Sequence, residues 1–208
     1  MHPRWNAAPS SGPASECVSE RDAVPGRYVL QVATWDADAE TTHPVDFRLV
    51  HNTFVTMFWR SSLLDETVGW LRSHAYDVVE FDAGSWASEA DMYDDLAMRL
   101  EFPKYFGRNL DALNDCMSDV ASGDYGWRPD ATGLVIVLRT FDAFAAVDRR
   151  TAQVMLDIFA DQARRAILIG NRIISLVQSN DPQLTFDPVG ATPVTWNDAE
   201  WLNIQRGC

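Results

Sequence analysis

Lysine is almost missing from this chain: Lys104 stands alone beside sixteen arginines in 208 residues. Against those seventeen basic residues are thirty acidic ones, a net charge of −13. Such a deficit of positive charge argues against nucleic acid or an anionic membrane as a direct partner. The same field speeds encounter with a basic protein. Cysteine is scarce too. Cys17, Cys116 and Cys208 are an odd, scattered set with no CxxC pair, which excludes a disulfide framework or zinc knuckle and suits a reducing compartment. Long apolar runs are absent. Residues 1–24 hold no stretch of signal-peptide length, and no later run reaches membrane-spanning length, so the expectation is a soluble, cytoplasmic protein.

Catalytic equipment is missing as well. There is no GxxxxGK[ST] loop, GxGxxG turn, GxSxG elbow or HExxH helix. His2, His43, His51 and His74 are far apart and share no helix face with a cysteine or carboxylate. The expectation is no catalytic residue, no metal and no cofactor.

What remains is an alternation of strands and helices. Residues 1–25, rich in Pro, Ser, Ala and Gly, read as a disordered arm. Tyr28–Thr34, Phe47–Val50 and Phe54–Trp59 read as strands, and Ser62 with Asp65 opens a helix whose stripe is Leu64, Val68, Leu71 and Ala75. Asp77–Phe81 is a further strand. Ser88 with Asp91 caps a helix striped by Met92, Leu96 and Leu100, which Pro103 stops. Asn109 caps the next, with Leu110, Leu113, Met117 and Val120 inward. The aliphatic run Leu134–Leu138 marks a strand covered on both faces. A helix over Thr151–Ala166, a strand over Ile173–Val177, an edge strand over Val194–Trp196 and a short helix Ala199–Ile204 capped by Asp198 complete the pattern. The fold class is α/β, with a small, mainly parallel sheet packed with helices. Trp35, Trp59, Trp70, Trp196 and Trp201 read as core or packing residues.

The informative stretch is Phe102–Val120. Tyr105 and Phe106 occupy a turn, Gly107 lets the backbone bend, and Asn109 starts a helix. On that helix Asp111, Asn114, Asp115 and Ser118 recur at spacings of three and four and share one face. Two aspartates four apart repel each other by about 0.2–0.5 kcal/mol. The helix N-terminus relieves Asp111, but Asp115 gets little of that help, and no Lys or Arg follows within a turn. A solvated acidic face is the plain reading; a surface awaiting another molecule's cations is the alternative. Cys116 beside Asp115 reads as a packed, unreactive thiol.

The run Phe102-Pro103-Lys104-Tyr105-Phe106-Gly107-Arg108-Asn109-Leu110-Asp111-Ala112-Leu113-Asn114-Asp115-Cys116 resembles the signature of the barstar family, intracellular inhibitors of barnase-type ribonucleases. The order of elements over residues 76–178 is similar too. The resemblance implies a barstar-like sheet and a helix with its preceding loop that plugs a nuclease active site. By the same resemblance, Asp115 corresponds to the aspartate that occupies the phosphate site, and Asp111 to a second acidic contact. Tyr105 corresponds to the loop tyrosine that packs on the partner, with Gly107 in the same loop, and Asn109 and Ser118 correspond to flanking polar contacts; Asn114 shares the helix face. Asp161 stands where the family has a glutamate, one methylene longer. Two family tryptophans correspond to Asn114 and Val120, which removes aromatic anchors of the kind that dominate interfaces.

The expected organisation is an arm (1–25), an N-terminal extension of strands plus one helix (26–75), a barstar-like domain (76–179) and a C-terminal extension (180–208). One βα unit of the N-terminal extension lengthens the sheet. The leading function is an immunity protein, monomeric when free, against a basic ribonuclease or nuclease-like toxin. A fold-sharing interaction module with another partner stays open. So does an enzyme using Asp111 and Asp115 as acid and base.

Overall fold

The computed structural model describes residues 44–207. The readings made for the arm, for the strand Tyr28–Thr34 and for Cys17, Cys208, His2, His43 and Trp35 lie outside the described residues. Element order is α1 (Val45–Val50), β1 (Val55–Phe58), α2 (Ser61–Ser73), β2 (Asp77–Asp82), α3 (Glu89–Arg99), α4 (Leu110–Ser122), β3 (Leu134–Arg139), α5 (Phe141–Val147), α6 (Arg149–Leu168), β4 (Ile173–Gln178) and β5 (Thr195–Trp196). The five strands form one sheet in the order β2-β3-β4-β1-β5, and every neighbouring pair is parallel. The chain is therefore α/β, a barstar-like sheet packed with helices. The βα unit β1–α2 extends it, because β1 pairs with β4 at the side away from β2.

Strand β3 shows why an unbroken aliphatic run was needed. Successive side chains of a strand point to opposite faces. Leu134, Ile136 and Leu138 enter the core shared with α3, α4, α5 and α6, while Val135 and Val137 enter a second core under α1 and α2. All five are fully buried.

Four local expectations are corrected. Phe47–Val50 is helical, within α1. Val45 and Leu49, four apart, pack on the second core, and Pro44 presets the chain direction at the N-cap. Ser62 does not cap α2, which starts at Ser61 after an uncapped Arg60; Glu200 takes the Arg60 amide instead. Helix α5 is absent from the expected pattern altogether; its N-cap Thr140 lies in the left-handed region at φ 51°, with its amide donating to Gln178 Oε1 at 2.8 Å. Asp198 caps nothing but ion-pairs with Arg48, and the last helical piece is a 3-10 turn over Asn203–Arg206. Trp201 is 64 % exposed and is not a core residue.

Candidate partner-binding surface

Helix α4 is amphipathic in space as in sequence. Leu113, Cys116, Met117, Val120 and Ala121 are buried, and the helix packs along α6. Asn109 caps it, its Oδ1 accepting from the Ala112 amide at 2.8 Å. Gly123 at φ 85° closes the other end, where a side chain would be strained.

The preceding loop is pinned by Phe106, whose amide donates to the Pro103 carbonyl at 2.9 Å and whose ring meets Tyr93 and Phe102 edge-on. With Phe106 turned in, Tyr105 is turned out and is 81 % exposed. The bend is not where glycine suggested. Arg108, not Gly107, carries the positive φ (48°), and its guanidinium pairs with Asp94 at 2.6 Å. Gly107 leaves room instead: a Cβ there would lie 3.1 Å from the side-chain Nδ2 of the capping Asn109, crowding it.

Asp111 and Asp115 are both exposed, and among the described residues neither takes part in an ion pair or a side-chain hydrogen bond. Arg108, the nearest cation in sequence, is already taken by Asp94. Ser118 is half-buried on the same face. Asp161, on α6, is exposed and sits 3.5 Å from Arg164, a loose pair one turn away. Helix α4 has no basic residue in its last turn.

Of the two positions where the family has tryptophan, Asn114 departs from a plain outward residue and Val120 lies inward as expected. Asn114 does not simply face solvent: its Oδ1 accepts from Gln162 Nε2 at 2.8 Å, which ties α4 to α6. Val120 is fully buried in the core, so the tryptophan missing there cannot be a lost surface anchor in this chain. Gln162 went unremarked in sequence, although a polar residue at helical spacing from Met155 and Phe159 in an apolar stripe is itself a signal.

Cys116 is buried. Burial above all pushes its thiol pKa up; the Tyr125 hydrogen bond works against this, and Asp119 and Asp115 add to it. That is an inert thiol. No group of three or more His, Cys, Asp or Glu among the described residues could hold a metal ion. No helix among them is long and apolar enough to cross a membrane.

The loop is thus held by one inward aromatic and presents an outward tyrosine beside a helix face whose two aspartates have no cation among the described residues. Residues 76–177 match the family described as Barstar (barnase inhibitor), and through that segment the chain belongs to the barstar family. It is also 43 % identical, over 51 residues, to a Bacillus subtilis (strain 168) protein named "Putative ribonuclease inhibitor YrdF". That stretch is 24 % of this chain and 46 % of the relative, so the match spans about half the relative's length.

Proposed function

We propose that this protein is an inhibitor, not an enzyme, which blocks the active site of a basic ribonuclease with the loop at Tyr105 and the outer face of α4. The observation that carries this is the pair Asp111 and Asp115, exposed and without a cation of the described residues, in a chain that pairs many of its other acids. A nuclease cleft that stabilises phosphate offers arginines and a histidine. A carboxylate accepts only, so Asp115 takes the position of a phosphate oxygen and Asp111 a second cation. Tyr105 packs on the rim, Gly107 and Asn109 shape the loop, Ser118 adds a polar contact, and Asp161 reaches a cation from α6. The pairing is that of a toxin and its immunity protein in the cytoplasm, with a free monomer as the binding form.

Asp115→Ala tests this reading. Removing one partner of a buried, hydrogen-bonded charge pair generally costs about 2–5 kcal/mol of affinity, a general range whose measured background includes barnase–barstar itself. Titration against purified barnase-type ribonucleases should show that loss, and stopped-flow association should slow steeply with salt. Wild-type protein that neither binds nor inhibits these nucleases at low salt overturns the reading.

A second reading is a binding module with a non-nuclease partner. The amide at position 114, where the family has tryptophan, and the additional α1–α2 layer favour it. Deleting the additions would then abolish partner capture, while Asp115→Ala would leave it intact.

A further inference from the structure

Gln162 is the least expected side chain near the acidic face. It is 1 % exposed, on the buried stripe of α6, yet it carries a carboxamide. Its Nε2 donates to Asn114 Oδ1, while its Oε1 is buried and accepts no hydrogen bond from the described residues. An orphaned buried acceptor destabilises a fold, and an apolar side chain of equal size would remove the penalty. Such an unsatisfied group calls for an explanation, and a functional gain is one.

The gain lies with Asn114. With Oδ1 held inward, its Nδ2 is left on the outer side of a half-buried residue and donates to no described group. Asn114 is one turn after Asp111 and next to Asp115 on α4, and its partner Gln162 follows Asp161 on α6. Around it, Asp111, Asp115 and Asp161 can only accept. Asn114 thus brings a hydrogen-bond donor to a face of acceptors, and Gln162 fixes which way it points.

Resting on the inhibitor reading, we propose that Asn114, oriented by Gln162, is a specificity-determining residue that selects nucleases with a hydrogen-bond acceptor beside the cations answering Asp111 and Asp115. The acceptor is a backbone carbonyl, a carboxamide oxygen or a hydroxyl. Gln162 acts as a positioning residue and touches no partner atom. A partner shaped to receive a flat apolar ring at that point is discriminated against, because docking would bury the Asn114 amide unpaired.

Asn114→Asp separates this idea from simple charge attraction. The new carboxylate still accepts from Gln162 but cannot donate outward, and it adds negative charge. Against a purified barnase-type ribonuclease bound by the unaltered protein, attraction alone predicts tighter binding. Donor recognition predicts a loss of about tenfold, the worth of one hydrogen bond. Gln162→Met, volume-matched and apolar, should weaken binding about five- to tenfold without lowering the thermal midpoint. Binding that falls with Asp115→Ala, yet tightens with Asn114→Asp or is unmoved by Gln162→Met, overturns the proposal and leaves the inhibitor reading standing. Absence of any nuclease binding by the unaltered protein overturns both.

Discussion

Glu200 and Asp115 carry the same charge and have opposite fates. Glu200 is fully buried, and its carboxylate accepts from the Trp59 amide (2.9 Å), the Arg60 amide (3.0 Å) and Arg60 Nε (2.9 Å). It fastens the C-terminal segment to the end of β1. Arg206 fastens the same segment from the other side, donating to the carbonyls of Pro182, Glu200 and Trp201 and lying over the Trp196 ring. Asp115 stands exposed on α4 with no such answer among the described residues. A charge completed by its own chain holds the fold together; a charge left open is available to another molecule, as the proposed inhibitor role requires. Between the two lies Glu80, half-buried, bonded to both Arg139 (2.7 Å) and Arg72 (2.6 Å), with Asp65 on the far side of Arg139.

The contrast can be broken by substitution. The largest effect on folding should come from Glu200→Ala, which leaves the Trp59 and Arg60 amides at the end of β1 without their acceptor. About 2–4 kcal/mol of stability is expected to be lost in urea unfolding, with nuclease affinity unchanged. If affinity falls as much as stability, the division between fold charges and encounter charges is wrong.

A smaller effect should follow from acid. Burial works against the charged form of Glu80, but hydrogen bonds from Arg139 and Arg72, together with their charges, outweigh it and lower its pKa. A lowered folded pKa contributes stability that is complete above the ordinary glutamate value of about 4.3 and is lost as pH falls through the folded value. Glu80→Gln should therefore be less stable than wild type at neutral pH. The gap should close on acidification below about pH 4, as followed by thermal unfolding across pH. A gap that is constant with pH would mean the network contributes by packing alone.

The smallest effects sharpen the difference between the two aspartates of α4. Asp111 lies in the first turn, where the helix N-terminus favours it by about 0.3–1 kcal/mol, so Asp111→Ala should lower stability slightly. Asp115→Ala removes a repulsion of about 0.2–0.5 kcal/mol and should leave stability equal or higher. Either substitution removes the mutual repulsion, so opposite signs in calorimetry would isolate the helix-terminus contribution at Asp111.

Much of this arrangement was legible in the residues. Pro103 marked the break after α3, Asn109 the start of α4 and the stripe Leu113–Met117–Val120 its buried face, while the unbroken Leu134–Leu138 run suited a strand covered on both faces. These signals are local, set by spacing along one element. What escaped was set by contacts across elements. Thr140, in a conformation rare for a β-branched residue, started α5 because Gln178 of the next strand receives its amide. Asp198 looked like a cap but met Arg48, 150 residues earlier. Arg108 rather than Gly107 took the left-handed turn because Asp94 of α3 holds its guanidinium.

Sequence by itself determined the class of fold, the family motif and the acidic character of the α4 face, because periodicity and composition act within a few residues. Only tertiary structure decided which carboxylates stay open. Whether an arginine answers Glu80, Glu200 or Asp115 depends on where strand order and helix packing bring it, and charge pairs at about 3 Å are made in space, not along the chain.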